Sequence, residues 1–225
     1  MKREIMVTGD GSKTIHMPDL NEQYHSKHGA LQEARHVFIQ TGLRYLLDTR
    51  LGDLEALNTI TILEYGLGTG LNAMLTVKFL EEHRIRTYYK GIEAFPITDE
   101  EIAAMDYGEL VADKSLYTDL HAAAWEKEIE LRPNFYLIKS QLKFEDFAEL
   151  NQYDLIYFDA FGPRTQPELW SQEIFNAAYK SLKEKGVLTT YCAAGQVRRN
   201  MQAAGFKVER LAGPPGKREM LRATK

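Results

Sequence analysis

A chain of 225 residues suits one α/β domain with a substantial core and is slightly short for two. With 44% hydrophobic and 27% charged residues, and no apolar run near the roughly 18 residues of a membrane span, it reads as globular rather than membrane-embedded. One cysteine, Cys192, excludes an internal disulfide, the six histidines show no metal spacing, and a net charge of −4 does not advertise nucleic-acid binding.

The N-terminus, Met1-Lys2-Arg3-Glu4, opens a polar segment without the apolar core of a signal peptide, so a cytoplasmic chain is expected. Residues 1–30 read as loop-like, and helical apolar spacing predicts a helix from about Leu31 to Leu47. Residues 1–57 therefore stand as an N-terminal extension of a single domain covering 1–225. A regular alternation follows. Thr59-Ile60-Thr61-Ile62-Leu63 is a β-branched strand ending in a Gly-rich turn, and Leu71 to about His83 continues as a helix. Arg86 to Ile92, Phe135 to Ile138 and Leu155 to Phe158 are the next strands. Pro167 to Leu182 is helical, Val187 to Tyr191 is the fifth strand, and a short helix spans Val197 to Ala203. Lys207 to Leu211 and Arg218 to Arg222 are two further strand candidates. Strands alternating with helices predict a mostly parallel sheet covered on both faces. Residues 97–132 exceed what a crossover needs and read as a helical insertion after the second strand, either a lid or extra helices at the sheet edge.

In an open α/β sheet the ligand crevice lies beyond the carboxyl ends of the strands, where Glu64-Tyr65-Gly66-Leu67-Gly68-Thr69-Gly70-Leu71-Asn72 falls. Glycine lets such a turn approach a ligand closely. A dinucleotide fingerprint would need glycine at position 71, where the chain has Leu71. The G-x-G-x-G spacing, with Glu64 two residues before Gly66, is the form of class I methyltransferases, whose cofactor is S-adenosyl-L-methionine. Glu93 ends the second strand, where a carboxylate can accept from both ribose hydroxyls. The cofactor candidates are thus Glu64, Tyr65, Gly66, Gly68, Gly70, Asn72 and Glu93; the alternative is a tight turn without a ligand.

Asp159-Ala160-Phe161-Gly162-Pro163 follows the fourth strand and faces the same crevice. Methyl transfer is an in-line displacement, so the protein chiefly positions the nucleophile and excludes water. Asp159 is the catalytic candidate, orienting an acceptor amine in a dry pocket with proton loss to it or to water; helix capping is its structural alternative. Phe161 and Pro163 could flank a planar base, while Asp154, at the start of the strand, lies away from the chemistry. Cys192 reads as a small buried residue, His36 as structural, and His25 and His28 as loop residues. Charge is asymmetric: from Arg198 onward eight basic and two acidic residues give +6, leaving −10 for the rest. That tail is either a polyanion contact or a solvated face.

These features go further than a generic fold. Asn21-Glu22-Gln23-Tyr24-His25-Ser26, Glu33-Ala34-Arg35-His36-Val37-Phe38, the 64–72 loop, Glu93 with Pro96, and Asp159 to Pro163 all resemble the methyltransferase domain of the MnmC family of bacterial tRNA-modifying enzymes. Pro167-Glu168-Leu169-Trp170, Ala193 to Arg199, Ala204-Gly205-Phe206 and Gly216-Lys217-Arg218-Glu219-Met220-Leu221 extend the match over most of the chain. The resemblance implies methylation of the 5-aminomethyl group of a wobble uridine, often 2-thiolated, in a tRNA anticodon stem-loop. It carries catalysis onto Asp159, cofactor contacts onto the loop and Glu93, and further contacts onto Tyr24 and Glu33. Phe161 and Trp170 become candidates for stacking on the base, and Arg198, Lys217 and Arg218 for gripping phosphates. Family members couple this domain to a flavin-dependent oxidase. The chain ends at Lys225, so the expectation is no flavin, no metal, no membrane, and a separate oxidase supplying the free amine. Gln166 replaces the asparagine common before the Pro-Glu-Leu-Trp element. Other readings are a methyltransferase for small amines, an aminopropyl transferase and an inactive RNA-binding module.

Overall fold

The alternation of apolar strands and amphipathic helices closes into one large sheet in the computed structural model, which describes residues 2–26, 28–50 and 58–225. Part of the expected extension, 51–57, lies outside the described residues. The sheet has eight strands in the order β10-β11-β9-β8-β4-β5-β7-β6. Its parallel centre is β4 (Thr59–Tyr65), β5 (Arg86–Ile92), β7 (Phe135–Ser140), β8 (Tyr153–Phe158) and β9 (Leu182–Thr190). The edges run antiparallel: β6 (Glu128–Arg132) on one side, β11 (Glu219–Thr224) and β10 (Lys207–Ala212) on the other. The chain leaves β4 toward β5 on one side and returns to β8 on the other, so the topological switch lies between β4 and β8.

Period-two alternation along β4 sorts its side chains between two cores. Ile60 and Ile62 join the face covered by a continuous helical run, α1, of three segments: Ala30–Ala34, Arg35–Arg44 in wide π geometry, and Tyr45–Thr49. The helix α2 (Leu71–Leu80) packs on the same face. Leu63 and Tyr65 turn to the opposite face, under α6 (Gln172–Ser181) and α7 (Gly195–Ala203). Gly42 permits the close crossing of α1 over the sheet, since a Cβ there would stand 3.0 Å from Thr189 Oγ1.

One expectation is corrected and another gains detail. Residues 1–30 are not all loop: β1 (Glu4–Val7), β2 (Lys13–Met17) and β3 (Glu22–Gln23) form a separate antiparallel sheet. The helical insertion after β5 is present and gains a strand at its end. It holds α3 (Asp99–Met105), started by a Thr98–Glu101 capping box, then α4 (Tyr107–Leu110) and α5 (Lys114–Ala122), and it ends in β6. The small sheet docks on this insertion. Arg3 pairs with Glu101 at 2.9 Å, Lys13 Nζ donates to the Ala104 carbonyl at 2.7 Å, and Tyr107 Oη donates to the Lys13 carbonyl at 2.5 Å. Among the described residues no helix is long and apolar enough to cross a membrane.

Candidate active site

A cavity of about 900 Å³ opens at the carboxyl ends of β4, β5 and β8, where the switch point puts it. Met17, Leu20, Glu22 to Ser26 and His28 wall its near side, and Gly216 and Lys217 complete the rim. Gly66, Gly68 and Gly70 all adopt left-handed φ, at 87°, 50° and 74°. At Gly66 no other residue fits, because a Cβ would meet the Asp159 carbonyl oxygen at 2.6 Å. The Gly66 and Leu67 amides both donate to the Ile92 carbonyl, at 3.0 and 3.1 Å, so the loop is tied to the end of β5. There Glu93 accepts from the Gly68 amide at 3.0 Å and the Phe95 amide at 2.9 Å, which fixes its carboxylate with lone pairs to spare.

Tyr24, Glu33, Gly66, Gly68, Asn72, Glu93, Asp159, Phe161 and Lys217 line this one cavity, although they come from distant parts of the sequence. Asp159 continues β8, its amide donating to the Tyr65 carbonyl at 2.9 Å, and its Oδ2 accepts from Asn72 Nδ2 at 2.9 Å. Burial pushes the Asp159 carboxyl up to about 7; the Glu33 carboxylate adds to this, while the Asn72 hydrogen bond and the Lys217 ammonium oppose it. At neutral pH the group divides between acid and base forms, a poise suited to accepting a proton. Phe161 meets Tyr24 edge to face with centroids 5.0 Å apart.

Other expected contacts fall elsewhere. The Glu64 side chain is fully buried behind the loop, accepting from Asn72 Nδ2 and from Tyr89 Oη at 2.8 and 2.7 Å. Burial holds its carboxyl well above the usual carboxylate range. The Tyr65 ring points to the other face of the sheet, against Phe144, Phe147 and Phe158, because it alternates with Glu64. Gly70 packs on Leu120 rather than at the cavity. Trp170, 2% exposed, offers no stacking surface. Its Nε1 donates to the Phe161 carbonyl at 2.7 Å, holding the 159–163 loop from behind, and Tyr191 Oη, on the cavity wall, donates to the Ala160 carbonyl at 2.7 Å. Pro163, Arg198 and Arg218 lie off the cavity lining. Lys217 is on the lining and already committed: its ammonium pairs with Glu33 and sits 3.8 Å from the Tyr191 ring centroid. Arg210 and Arg222 likewise pair with Glu219 and Glu209, which leaves less of the basic tail available than its +6 suggests.

Sequence reasoning missed several lining residues. Glu22 accepts from Thr165 Oγ1 at 2.9 Å and abuts Gly162. His25, which burial pushes down to about 4, lies between Thr14, Thr69 and Tyr107. Phe95, 65% exposed, stands at the rim. Tyr191 had a usable signal, since it directly follows a strand at its ligand-facing end. Glu22 and His25 fall in the matched 21–26 segment, but their place on the lining is set by the small N-terminal sheet. Among the described residues no group of three or more His, Cys, Asp or Glu is placed to hold a metal ion.

The donor set fits S-adenosyl-L-methionine. Glu22, Glu33, Glu93 and Asp159 bring carboxylates to a cavity that must take a sulfonium and an ammonium, and Glu93 stands ready for a ribose diol. A volume of about 900 Å³ leaves room for an acceptor as well.

Comparison with known proteins agrees with this chemistry. A family profile described as S-adenosyl-L-methionine-dependent methyltransferase matches residues 112–225. The tRNA 5-methylaminomethyl-2-thiouridine biosynthesis bifunctional protein MnmC of Leptospira interrogans (serovar copenhageni) is 32% identical over 230 residues, covering 96% of this chain and 34% of that protein. Its namesake in Pseudomonas savastanoi pv. phaseolicola is 29% identical, covering 99% of this chain and 35% of the relative. The chain thus spans about a third of the length of these curated relatives. The crystal structure of MNMC2 from Aquifex aeolicus superimposes with a TM-score of 0.76 at 25% identity, over 99% of this chain and 70% of that one. Spermidine synthase from Thermotoga maritima shares the fold at a TM-score of 0.54 and 14% identity, over 99% of this chain and 68% of that one.

Proposed function

The chain belongs to the S-adenosyl-L-methionine-dependent methyltransferase family, and from that premise we propose that it methylates the amine of 5-aminomethyl-(2-thio)uridine at the tRNA wobble position. The observation that carries this reading is the Asp159 carboxylate, poised near neutrality inside an acid-lined cavity beside the glycine loop. The names of the full-length relatives support the acceptor.

The bound cofactor supplies an electrophilic methyl group. An alkyl amine with a reference pKa of about 10 arrives protonated, so its nitrogen has no lone pair until a proton leaves. Asp159 orients that ammonium and takes its proton, freeing the nitrogen lone pair that would attack the methyl group of a bound cofactor. Glu93 and the loop backbone at residues 66–69 would hold the cofactor, with Tyr24 beside them. Phe161 supplies an aromatic surface for an extruded base, which a single-stranded anticodon loop yields at low cost. Trp170 supports that surface instead of forming it. Arg198 and Arg218 are the phosphate contacts, since Lys217 is held by Glu33. The reaction needs a free amine, which a separate oxidase acting upstream would supply, and it belongs in the cytoplasm with tRNA.

The test is methyl transfer from labelled S-adenosyl-L-methionine to tRNA bearing 5-aminomethyl-2-thiouridine, followed by nucleoside analysis. Label in 5-methylaminomethyl-2-thiouridine is the expected outcome. Label confined to small amines would overturn the assignment.

A further inference from the structure

Asn72 is the second residue of α2, just beyond the glycine loop, and is 3% exposed. Its Nδ2 donates in two directions, to Glu64 Oε1 at 2.8 Å and to Asp159 Oδ2 at 2.9 Å. An amide nitrogen has two hydrogens, so this pair of acceptors uses both. Exchanging the amide nitrogen and oxygen would set the oxygen against two carboxylates, which fixes the orientation whenever either is ionised. Glu64 is itself anchored by Tyr89 Oη, and the described residues place no ammonium or guanidinium against it. Tyr157 Oη and Thr76 Oγ1, 3.2 Å apart, carry polar contacts on through the buried face.

We propose that Asn72 is a positioning residue: its amide, braced on the buried Glu64 carboxyl, holds the Asp159 carboxylate in the orientation that receives the acceptor's proton. The proposal rests on the methyl-transfer reading above. The brace explains why a fully buried acidic side chain occupies the strand end behind the loop without reaching the cavity. It also stabilises the ionised form of Asp159 against burial, because the amide donates to the charged carboxylate. The other groups facing Asp159 are Glu33 on α1 and Lys217 on the 213–218 loop, with Tyr191 at the end of β9 and, behind Asn72, Glu64 and Tyr89; Glu22 on β3 acts on Tyr191. Lys217 is shared with Glu33, so Asn72 is the one neighbour that donates a hydrogen bond to the Asp159 side chain among the described residues.

The experiment compares wild type, Asn72→Ala and Asn72→Asp. Carbon-13 titration of aspartate-labelled protein, with the Asp159 signal assigned by its loss in Asp159→Asn, needs neither cofactor nor tRNA. Removing the donor should move the Asp159 titration to higher pH, and Asn72→Asp, which adds a third carboxyl, should move it further. In steady-state methyl transfer, kcat should fall about 10- to 100-fold, with its acid limb displaced to higher pH. The Kd for S-adenosyl-L-methionine, by calorimetry, should stay within about threefold of wild type. An unmoved Asp159 titration in whichever variant folds, or a loss carried wholly by cofactor affinity, would overturn the proposal. A wild-type protein that transfers no methyl to tRNA would instead sink the functional reading, while the titration still decides the role of Asn72.

Discussion

Asp159 shows how one side chain acquires its chemistry from neighbours that the sequence keeps far away. Its position after β8 was legible, because strand ends in this fold face the crevice. Its proton affinity was not, since that depends on burial, on Glu33 from α1 and on Lys217 from a loop 58 positions later. The sign of the consequence for stability can be worked out. From about pH 4, the ordinary aspartate value, to about 7, the native state keeps a proton that the unfolded chain has released. Native stability therefore falls as pH rises through that window, and the cost is complete above it. Asp159→Asn removes the titration. The variant should melt like wild type near pH 4 and higher than wild type at pH 8, by roughly 5 °C or about 2 kcal/mol, a figure discounted because the carboxylate opens onto the cavity. It should also lose about 10²- to 10⁴-fold in kcat while still binding cofactor. A variant less stable than wild type at pH 8 would contradict the burial argument. Trp170 makes the complementary point. Its presence near the site was readable, but whether an indole faces a cavity or props a loop is decided by packing.

Elements with strong periodicity were read well, and elements made by pairing were not. The β-branched run at 59–63 and the apolar run at 155–158 became the two strands flanking the switch point. Residues 1–30 escaped because β1 is exposed along most of its length and β3 has only two residues. A signal existed: Asp10-Gly11 lies between Ile5-Met6-Val7 and Thr14-Ile15, and Gly11 takes φ 81° in the turn. The glycine loop is the element where geometry allows the sharpest prediction. Gly66→Ala combines a left-handed φ with a contact of 2.6 Å to backbone, which a flexible neighbour cannot relieve. It should cost about 1–3 kcal/mol in thermal or urea unfolding and raise the Kd for S-adenosyl-L-methionine at least about tenfold. Gly11→Ala, equally left-handed but facing open space, is the control, expected to show strain without loss of cofactor affinity.

For the whole molecule the charge asymmetry survives in altered form. Glu22, Glu33, Glu93 and Asp159 gather carboxylates at the cavity, while Arg198 and Arg218 stand off its lining. Because Arg210, Lys217 and Arg222 are paired internally, an electrostatic footprint counted from sequence overstates the number of phosphate contacts. Arg218→Glu should weaken binding to any tRNA and flatten the slope of log affinity against log salt by about one. Filter binding at several salt concentrations would measure it, and an unchanged slope would remove Arg218 from the interface.

Arg3 and Lys217 border the same cavity, nearly the full length of the chain apart. The cavity wall is therefore completed only after the five central parallel strands, when the chain has reached Lys217. The central parallel strands are all present once β9 has been made, so a nascent chain can bury its sheet while the pocket still lacks part of its wall. Laying down the parallel centre and closing the cavity wall are thus separate events in the life of the chain.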